Sequence, residues 1–574
     1  MSSKQNRNMV NSTLKNAVPD LKILGLFSLV IIIITSFTYR QSLKNNFLTE
    51  WDDNVYVTEN VVLFKMGTKD YYKNVFTSYV HGNYHPLTIL SLGLDYKKGK
   101  LDARVYHKTN LELHIINSLL VLLFIWLLCK KIWVAIITSL LFAIHPMHVE
   151  SVAWISERKD LLYTLFFLAS LCFYISYKSN IKNKWIFYGI SLSLFVCASF
   201  SKGMAVSLPL VLIVLDYYKG DKLSVKLIWD KVPFFVIALI MGLVAIEAQK
   251  SGNAIYLYYS ISERLMFACY ALILYVVKLA APVNLSAFYV YPPVNSLIVM
   301  LSPIIVISIL VIVYLTQKQG KYILFGFLFF ISTIALVLQV IPVGEAIISE
   351  RYTYIPYIGL FFIIGYLINN LIEKKQKIHS VFLLIIVLFV GYSVWLYSLT
   401  IKQIKVWSNE NNLWTSAIAS DENCYMCYKN RADYLSKNKK NGEAISDYTI
   451  AINLKPLYSE AYNNRGLAYV NLKDYDNALA DFAKAVELKP TNVSAINNMG
   501  NINMVQEKYS EAINYYSRVL QVNPNYSSYY SRGVCYFYIH EYKLSYEDVI
   551  KAKGLGYPVD KNLLFEITQK LNQH

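Results

Sequence analysis

Leu21 to Tyr39 reads LKILGLFSLVIIIITSFTY, and this run decides which solvent the N-terminal part of the chain folds in. As a helix rising about 1.5 Å per residue it reaches nearly across a ~30 Å hydrocarbon core. It follows Lys4, Arg7, Lys15 and Lys22 and has no small-residue cleavage site. It is therefore expected to remain as a membrane anchor, with residues 1–20 in the cytoplasm.

Working outward, apolar runs of similar kind recur to about Thr400. They are Leu113 to Cys129, Ile132 to Ile144, Leu161 to Tyr177, Trp185 to Phe200, Met204 to Asp216, Val232 to Ala248, Leu265 to Ala281, Ser296 to Leu315, Tyr322 to Val340, Tyr354 to Leu371 and Val381 to Leu399. The whole 574-residue chain is 55% hydrophobic with a mean hydropathy of +0.35, too apolar for a soluble protein. The net charge of +17 comes without any zinc-finger, RNA-recognition or basic-helix pattern, so nucleic acid is not an expected partner.

The lysines are topology signals instead. Lys130 and Lys131, then Lys178, Lys182 and Lys184, then Lys219, Lys222 and Lys226 share one side if the N-terminus is cytoplasmic, and Lys318, Lys321, Lys374, Lys375 and Lys377 ask for the same side. An even number of crossings must join Lys231 to Lys318, so one of the three candidates there is expected not to cross. About eleven spans result, an odd number, which puts the C-terminal part and the loop 40–112 outside the cytoplasm. The expected architecture is all-α: a polytopic helix bundle over 21–400, a linker helix over 401–422, and a helical solenoid over 423–574.

That solenoid is read from a 34-residue period, the length of a tetratricopeptide helix pair. Pro456, Pro490 and Pro524 mark it, and Ala444, Ala478 and Ala512, the aromatics Tyr448, Phe482 and Tyr516, and Gly466 and Gly500 fall in register. A fourth unit slips by one residue, with Gly533, Ser545 and Ala552 in the equivalent places. Such arrays bind peptides or partner helices, so Asn463, Asn464, Asn497 and Asn498 are acceptor-binding candidates, with solvated filler as the plain alternative. Cys424 and Cys427 form a CxxC before the repeats, read first as helix packing, next as a disulfide, last as a metal site. Cys129, Cys172, Cys197 and Cys269 sit in apolar runs and read as packing thiols.

Chemistry is sought in the outer segments. Trp51-Asp52-Asp53-Asn54 places two carboxylates beside an indole, and either aspartate can act as a general base; the plain alternative is an Asx-rich helix cap. His145-Pro146-Met147-His148-Val149-Glu150 leads into Ser156-Glu157-Arg158-Lys159-Asp160, where histidines, acids and bases crowd together. Arg158, Lys159, Lys202 and Arg351 are candidates for a phosphate, although basic residues at span ends commonly only snorkel to headgroups. Trp51, His85, His145, His148 and Glu150 complete the candidate pocket. His85, His145 and His148 with Asp52 and Asp53 have the donor types for a divalent metal, but no HxxxH spacing enforces one, and no cofactor is assigned.

These pieces in this order resemble the transmembrane and tetratricopeptide repeat O-mannosyltransferases of the C-type glycosyltransferase superfamily and their bacterial relatives. The resemblance rests on Trp51-Asp52-Asp53, Tyr84-His85-Pro86-Leu87-Thr88, Tyr106-His107-Lys108-Thr109-Asn110, the segment His145 to Ala153 with Arg158-Lys159-Asp160-Leu161-Leu162, Lys202-Gly203, Ser349-Glu350-Arg351-Tyr352-Thr353-Tyr354-Ile355-Pro356, and Trp407 and Trp414. It implies a polyprenyl-phosphate sugar donor, inversion at the anomeric carbon, a protein serine or threonine hydroxyl as acceptor, and a catalytic acidic pair. The lysine-, asparagine- and tyrosine-rich composition suggests a bacterial member in the inner membrane, with periplasmic repeats and an undecaprenyl-linked donor. The alternatives weighed are a non-enzymatic membrane-anchored scaffold for envelope assembly and a transporter. The near absence of ionisable residues at mid-span disfavours the transporter.

Overall fold

The computed structural model describes residues 22–179, 183–222, 224–252, 258–317, 320–342, 344–375 and 379–573. The segment 1–20 and the basic topology residues Lys4, Arg7, Lys15, Lys182, Lys318 and Lys377 lie outside these residues. The regular elements of the described residues are helices, the isolated bridge between Val80 and Asn83 being the β pairing recorded among them. The chain divides into two compact units, Met1–Ser420 and Asp421–His574.

In the first unit, seven described helices are long and apolar enough to span a membrane: Lys22–Lys44, Ala103–Cys129, Ile155–Lys178, Lys184–Ser201, Val232–Ser251, Leu297–Thr316 and Leu383–Val406. An eighth arises if Ile132–Ile144 and Pro146–Ala153, bent by 59°, count as one. The expected count of about eleven is not reached by length and composition, for identifiable reasons. Leu208–Lys219 is only 12 residues, Lys321–Val337 and Tyr357–Glu373 are short, and Ile261–Ala280 carries Glu263, Arg264 and Lys278. Burial separates the roles of the seven. The apolar window of Ile155–Lys178 is 72% buried inside the protein and that of Ala103–Cys129 56%, whereas Leu297–Thr316 and Leu383–Val406 reach 11%. The first two form the core of the bundle, and the others leave large apolar faces for which lipid is the natural solvent.

Local chemistry fixes where these helices begin and how they touch. Asp102 caps Ala103–Cys129 by accepting the Arg104 N–H, and Ser260 with Glu263 forms a capping box at Ile261–Ala280. Lys321–Ile334 and Tyr357–Lys375 cross at Gly326 and Gly359, where a Cβ on either would strike the carbonyl oxygen of the other. Ser170 and Ser191 each donate a hydroxyl to the other's carbonyl, at 2.8 and 2.9 Å. Away from the loops, Lys178 and Lys231 meet Asp216 at 3.3 and 2.6 Å, and Lys231 is fully buried. Lys178 and Lys231 are thus structural ion-pair partners as well as basic residues at helix ends.

Pro146 interrupts the backbone ladder and makes the bend. The freed groups find partners: His145 Nδ1 accepts the Met147 N–H at 3.3 Å, and Thr400 Oγ1 donates to the Ile144 carbonyl at 2.6 Å. Beyond the bend the chain runs through Val149–Ala153 and the short turn Ile155–Glu157 before entering Arg158–Lys178. This buried elbow, 145–160, is the floor on which the candidate site is built.

The second unit is four antiparallel helix pairs, Tyr425–Lys437 with Asn441–Leu454, Ser459–Asn471 with Tyr475–Leu488, Val493–Val505 with Tyr509–Val522, and Tyr526–Tyr538 with Tyr542–Gly554, closed by Lys561–Leu571. Gly466 and Gly500 lie where a Cβ would run into the rings of Phe482 and Tyr516, so the small residue lets each aromatic pack against the paired helix. Cys424 and Cys427 are disulfide-bonded. This corrects their first reading as packing thiols: capping by Cys424 brings the two within one helical turn, which the sequence motif alone left open.

Candidate active site

The loop after the first span is tied down before it can present anything. Asp53 is 1% exposed; its Oδ2 accepts the Leu48 N–H at 2.8 Å, and its Oδ1 accepts both the N–H of Ser156, at 3.0 Å, and the Ser156 hydroxyl. Burial pushes its carboxyl up to about 7, against the pull of these hydrogen bonds. Trp51 adds an apolar anchor, its ring 4.4 Å from Trp154, 4.7 Å from Trp414 and 6.1 Å from Trp407. Asp52, between them, keeps 18% of its side chain exposed, with His81 Nε2 at 3.7 Å. Of the acidic pair, Asp53 positions the loop and Asp52 has the accessible carboxylate.

Three of the four candidate phosphate ligands converge on one acid. Glu157, 1% exposed, has Lys159 Nζ at 3.0 Å, Arg351 Nε at 3.3 Å and Lys202 Nζ at 3.5 Å. Lys202 also meets Asp160 at 2.6 Å, and Arg351 grips Glu150 through its guanidinium and, at 2.8 Å, its backbone N–H. Aromatic faces line the cations: Tyr56 lies 4.7 Å from Lys159, Trp154 5.5 Å from Arg351, and Tyr352 4.9 Å from Arg351 and 5.7 Å from Lys202. Burial pushes the Tyr56 hydroxyl up to about 12, with Lys159 and Asp52 acting on it in opposite directions. The site therefore holds three cations against Glu150, Glu157 and Asp160, and an arriving phosphate oxygen can replace a carboxylate at cations that are already gathered.

Arg158 does not join them. It is fully buried and its nitrogens are committed to Asp95 at 2.5 Å, Asn110 Oδ1 at 2.6 Å and the Tyr106 carbonyl at 2.8 Å. Asn110 in turn donates to the Val152 and Trp154 carbonyls, so Arg158 braces the elbow from below. Its side chain is 0% exposed, against 9%, 13% and 18% for Lys159, Lys202 and Arg351, and this separates a fully enclosed structural cation from three that keep some exposure.

The histidines divide the same way. His85 is buried, stacked 5.2 Å from Tyr56, with Nε2 unpartnered; desolvation, with Lys159 nearby, drops its imidazole to about 3, so it is neutral. Its segment is pinned to the site through Thr88, which donates to the Ser201 carbonyl at 3.0 Å, next to Lys202. His145 and His148 lie elsewhere, 6.0 Å apart among Tyr354, Tyr357 and Phe361, bonded to the carbonyls of Leu279 and Phe142. Among the described residues no group of three His, Cys, Asp or Glu side chains is placed to hold a metal. The residues with metal-donor chemistry are not brought together: His145 and His148 bond to the carbonyls of Leu279 and Phe142 beside the bend at Pro146.

Sequence reading missed Glu157 as the common partner and Asp95 as the counter-ion of Arg158. A signal for the first existed in the Glu157-Arg158-Lys159-Asp160 alternation at a helix entry, but which cation goes to which acid depends on contacts with Lys202 and Arg351 from distant segments.

In the repeat unit the four asparagines bond along the array. Asn464 donates to Asp433 at 2.9 Å, Asn463 to Asn464 at 3.0 Å, Asn498 to Asn463 at 3.3 Å, and Asn497 accepts from Ser528 at 3.3 Å. They form a polar ladder along the first helices of successive repeats. Arg431–Asp447, Arg465–Asp481 and Arg532–Asp548 clasp the two helices of their repeats. The third repeat has Met499 and Tyr515 at these places instead.

Comparisons with known proteins agree with this division. The tetratricopeptide repeat family model matches 459–492 and 493–526. The Caenorhabditis elegans protein O-mannosyl-transferase F38B6.6 is 25% identical over 461 residues, 75% of this chain and 63% of that protein. Human protein O-mannosyl-transferase TMTC1 is 24% identical over 67% of this chain and 49% of its own length. Human protein O-mannosyl-transferase TMTC3 is 35% identical over 122 residues, 21% of this chain and 13% of that protein. The chain thus spans less than two thirds of the length of each. It is a membrane protein with a tetratricopeptide array, and the curated proteins it resembles are protein O-mannosyl-transferases of the TMTC type.

Proposed function

We propose that this chain is an inverting glycosyltransferase that moves a sugar, mannose by the names of its relatives, from a polyprenyl-phosphate donor to protein serine or threonine hydroxyls. Asp52 accepts the proton of the acceptor hydroxyl as its oxygen attacks the anomeric carbon. The bond from that carbon to the phosphate oxygen breaks, and the polyprenyl phosphate leaves with the electron pair and without a proton. Lys159, Lys202 and Arg351 hold that phosphate. The observation that carries this reading is the convergence of the three cations on Glu157, beside a loop that Asp53 fixes to Ser156 and that exposes Asp52.

The site lies on the extracytoplasmic face in this proposal. Support comes from the helix ends: Ala103–Cys129, Arg158–Lys178 and Leu208–Lys219 each run from the side of the elbow to Lys130, Lys178 and Lys219, and lysine-rich ends favour the cytoplasm. The repeats recruit the acceptor polypeptide, raising its effective concentration at the membrane.

The test is reconstitution of the purified chain with polyprenyl-phosphate mannose and a serine/threonine acceptor peptide. Asp52→Asn is expected to lower transfer by about 100-fold or more, and removal of 421–574 to weaken acceptor use more than donor hydrolysis. Absence of donor-dependent transfer by the wild type would leave the anchored scaffold as the better description.

A further inference from the structure

A second cationic site lies where the first span ends. Two adjoining open depressions, of about 560 and 580 Å³, share Leu43, Lys44 and Arg104 in their walls, and the second is also lined by Arg40. None of these residues belongs to the candidate active site. Arg40, Lys44 and Arg104 are all exposed, and none of the three makes an ion pair with a described carboxylate, in contrast to Lys159, Lys202 and Arg351. Asp102 also lines the first depression, but its Oδ1 caps the helix by accepting the Arg104 N–H at 3.0 Å. The lining carries a net charge of +2, from Arg40, Lys44 and Arg104 against Asp102.

The surroundings say what kind of anion fits. Lys22–Lys44 is apolar from Ile23 to Tyr39 and only 22% of its spanning window is buried inside the protein. Its exposed Ile33 and Phe37 lie on the same helix as Arg40, the Phe37 ring lies 5.5 Å from the Arg40 guanidinium, and the exposed Leu101 lines the first depression. A ligand that enters brings a charged head to three basic side chains and lays an apolar tail along the first span. Two of these side chains come from the end of one span and one from the start of another, around a shared space.

We propose that Arg40, Lys44 and Arg104 form a binding site for the phosphate headgroup of an anionic membrane lipid, separate from the candidate active site. Each basic side chain contributes to holding an anionic headgroup at a membrane surface. The site does not depend on the transfer reaction, so it stands or falls apart from the reading given above.

Native mass spectrometry of the full chain in detergent tests it, with phosphatidylglycerol, phosphatidylcholine or inorganic phosphate added. The wild type is expected to retain one phosphatidylglycerol in preference to phosphatidylcholine. The triple variant Arg40→Gln, Lys44→Gln, Arg104→Gln is expected to retain it about tenfold less or weaker still, and Arg104→Gln alone to fall between. All three side chains are exposed, and an unchanged thermal midpoint verifies that the variants fold. Lys202→Met should retain the lipid like the wild type. Equal retention by the triple variant and the wild type overturns the proposal, as does loss of the lipid in Lys202→Met. Binding of inorganic phosphate but not phosphatidylglycerol, dependent on the same three residues, overturns the lipid assignment.

Discussion

Ser156 donates its backbone N–H to Asp53 across 103 residues of chain, at 3.0 Å, and so joins the first loop to the elbow that carries Glu157 and Lys159. The adjacent carboxylates therefore have different work. Asp53→Asn presents an amide where the Leu48 and Ser156 N–H groups point, and is expected to cost about 1–3 kcal/mol of stability. Asp52→Asn should leave the denaturation midpoint unchanged while lowering transfer by about 100-fold or more. Denaturation curves and transfer rates of both variants separate the roles; equal destabilisation by the two contradicts the division.

His85 sets a pH dependence whose sign is fixed. Its folded-state value of about 3 lies below the ordinary 6.5 because the ring is buried near Lys159. The unfolded chain takes up a proton below pH 6.5 that the folded chain refuses, so stability is complete above 6.5 and is lost as pH falls toward 3, by up to about 1.4 kcal/mol per pH unit. His85→Phe keeps the stack on Tyr56 and removes this titration. Its denaturation midpoint should fall less than that of the wild type between pH 7 and pH 5.

The basic residues should sort by exposure and by the acid each one meets. Lys202→Met is expected to raise the donor KM by about tenfold or more, the size of a lost charged hydrogen bond. Arg158→Met removes one partner of the buried pair with Asp95 and should cost about 3–5 kcal/mol of stability, without a selective change in donor KM. Donor saturation curves beside thermal midpoints test the pair.

In the repeats, Arg465 and Asp481 form a bidentate, largely buried clasp at 2.8 Å. Arg465→Met should destabilise the second repeat by about 2 kcal/mol. Met499→Arg, placed opposite Tyr515 where no acid awaits it, should give no compensating gain. Hydrogen exchange resolved by helix reads both effects.

Much of this was legible in the sequence because it is written in period and length. The 34-residue spacing of Pro456, Pro490 and Pro524 placed the helix pairs, and Gly466 and Gly500 do meet the aromatics Phe482 and Tyr516. The apolar runs gave the bundle, while length and charge set Leu208–Lys219 and Ile261–Ala280 apart from the seven long apolar helices. At the site, residue types identified the crowd at 145–160, but not the partners. Arg158 and Lys159 are neighbours in sequence, yet one helical step turns the first toward Asp95 and the second toward Glu157. The disulfide between Cys424 and Cys427 was one of three readings until the fold brought the thiols together.

The most direct measurement is intact-mass glycoproteomics of cells expressing the wild type or Asp52→Asn at matched abundance. If Asp52 is the base, a hexose-sized mass on serine- or threonine-bearing proteins of the wild-type cells disappears in the variant while the folded protein persists. The same glycan masses in both cells would contradict it.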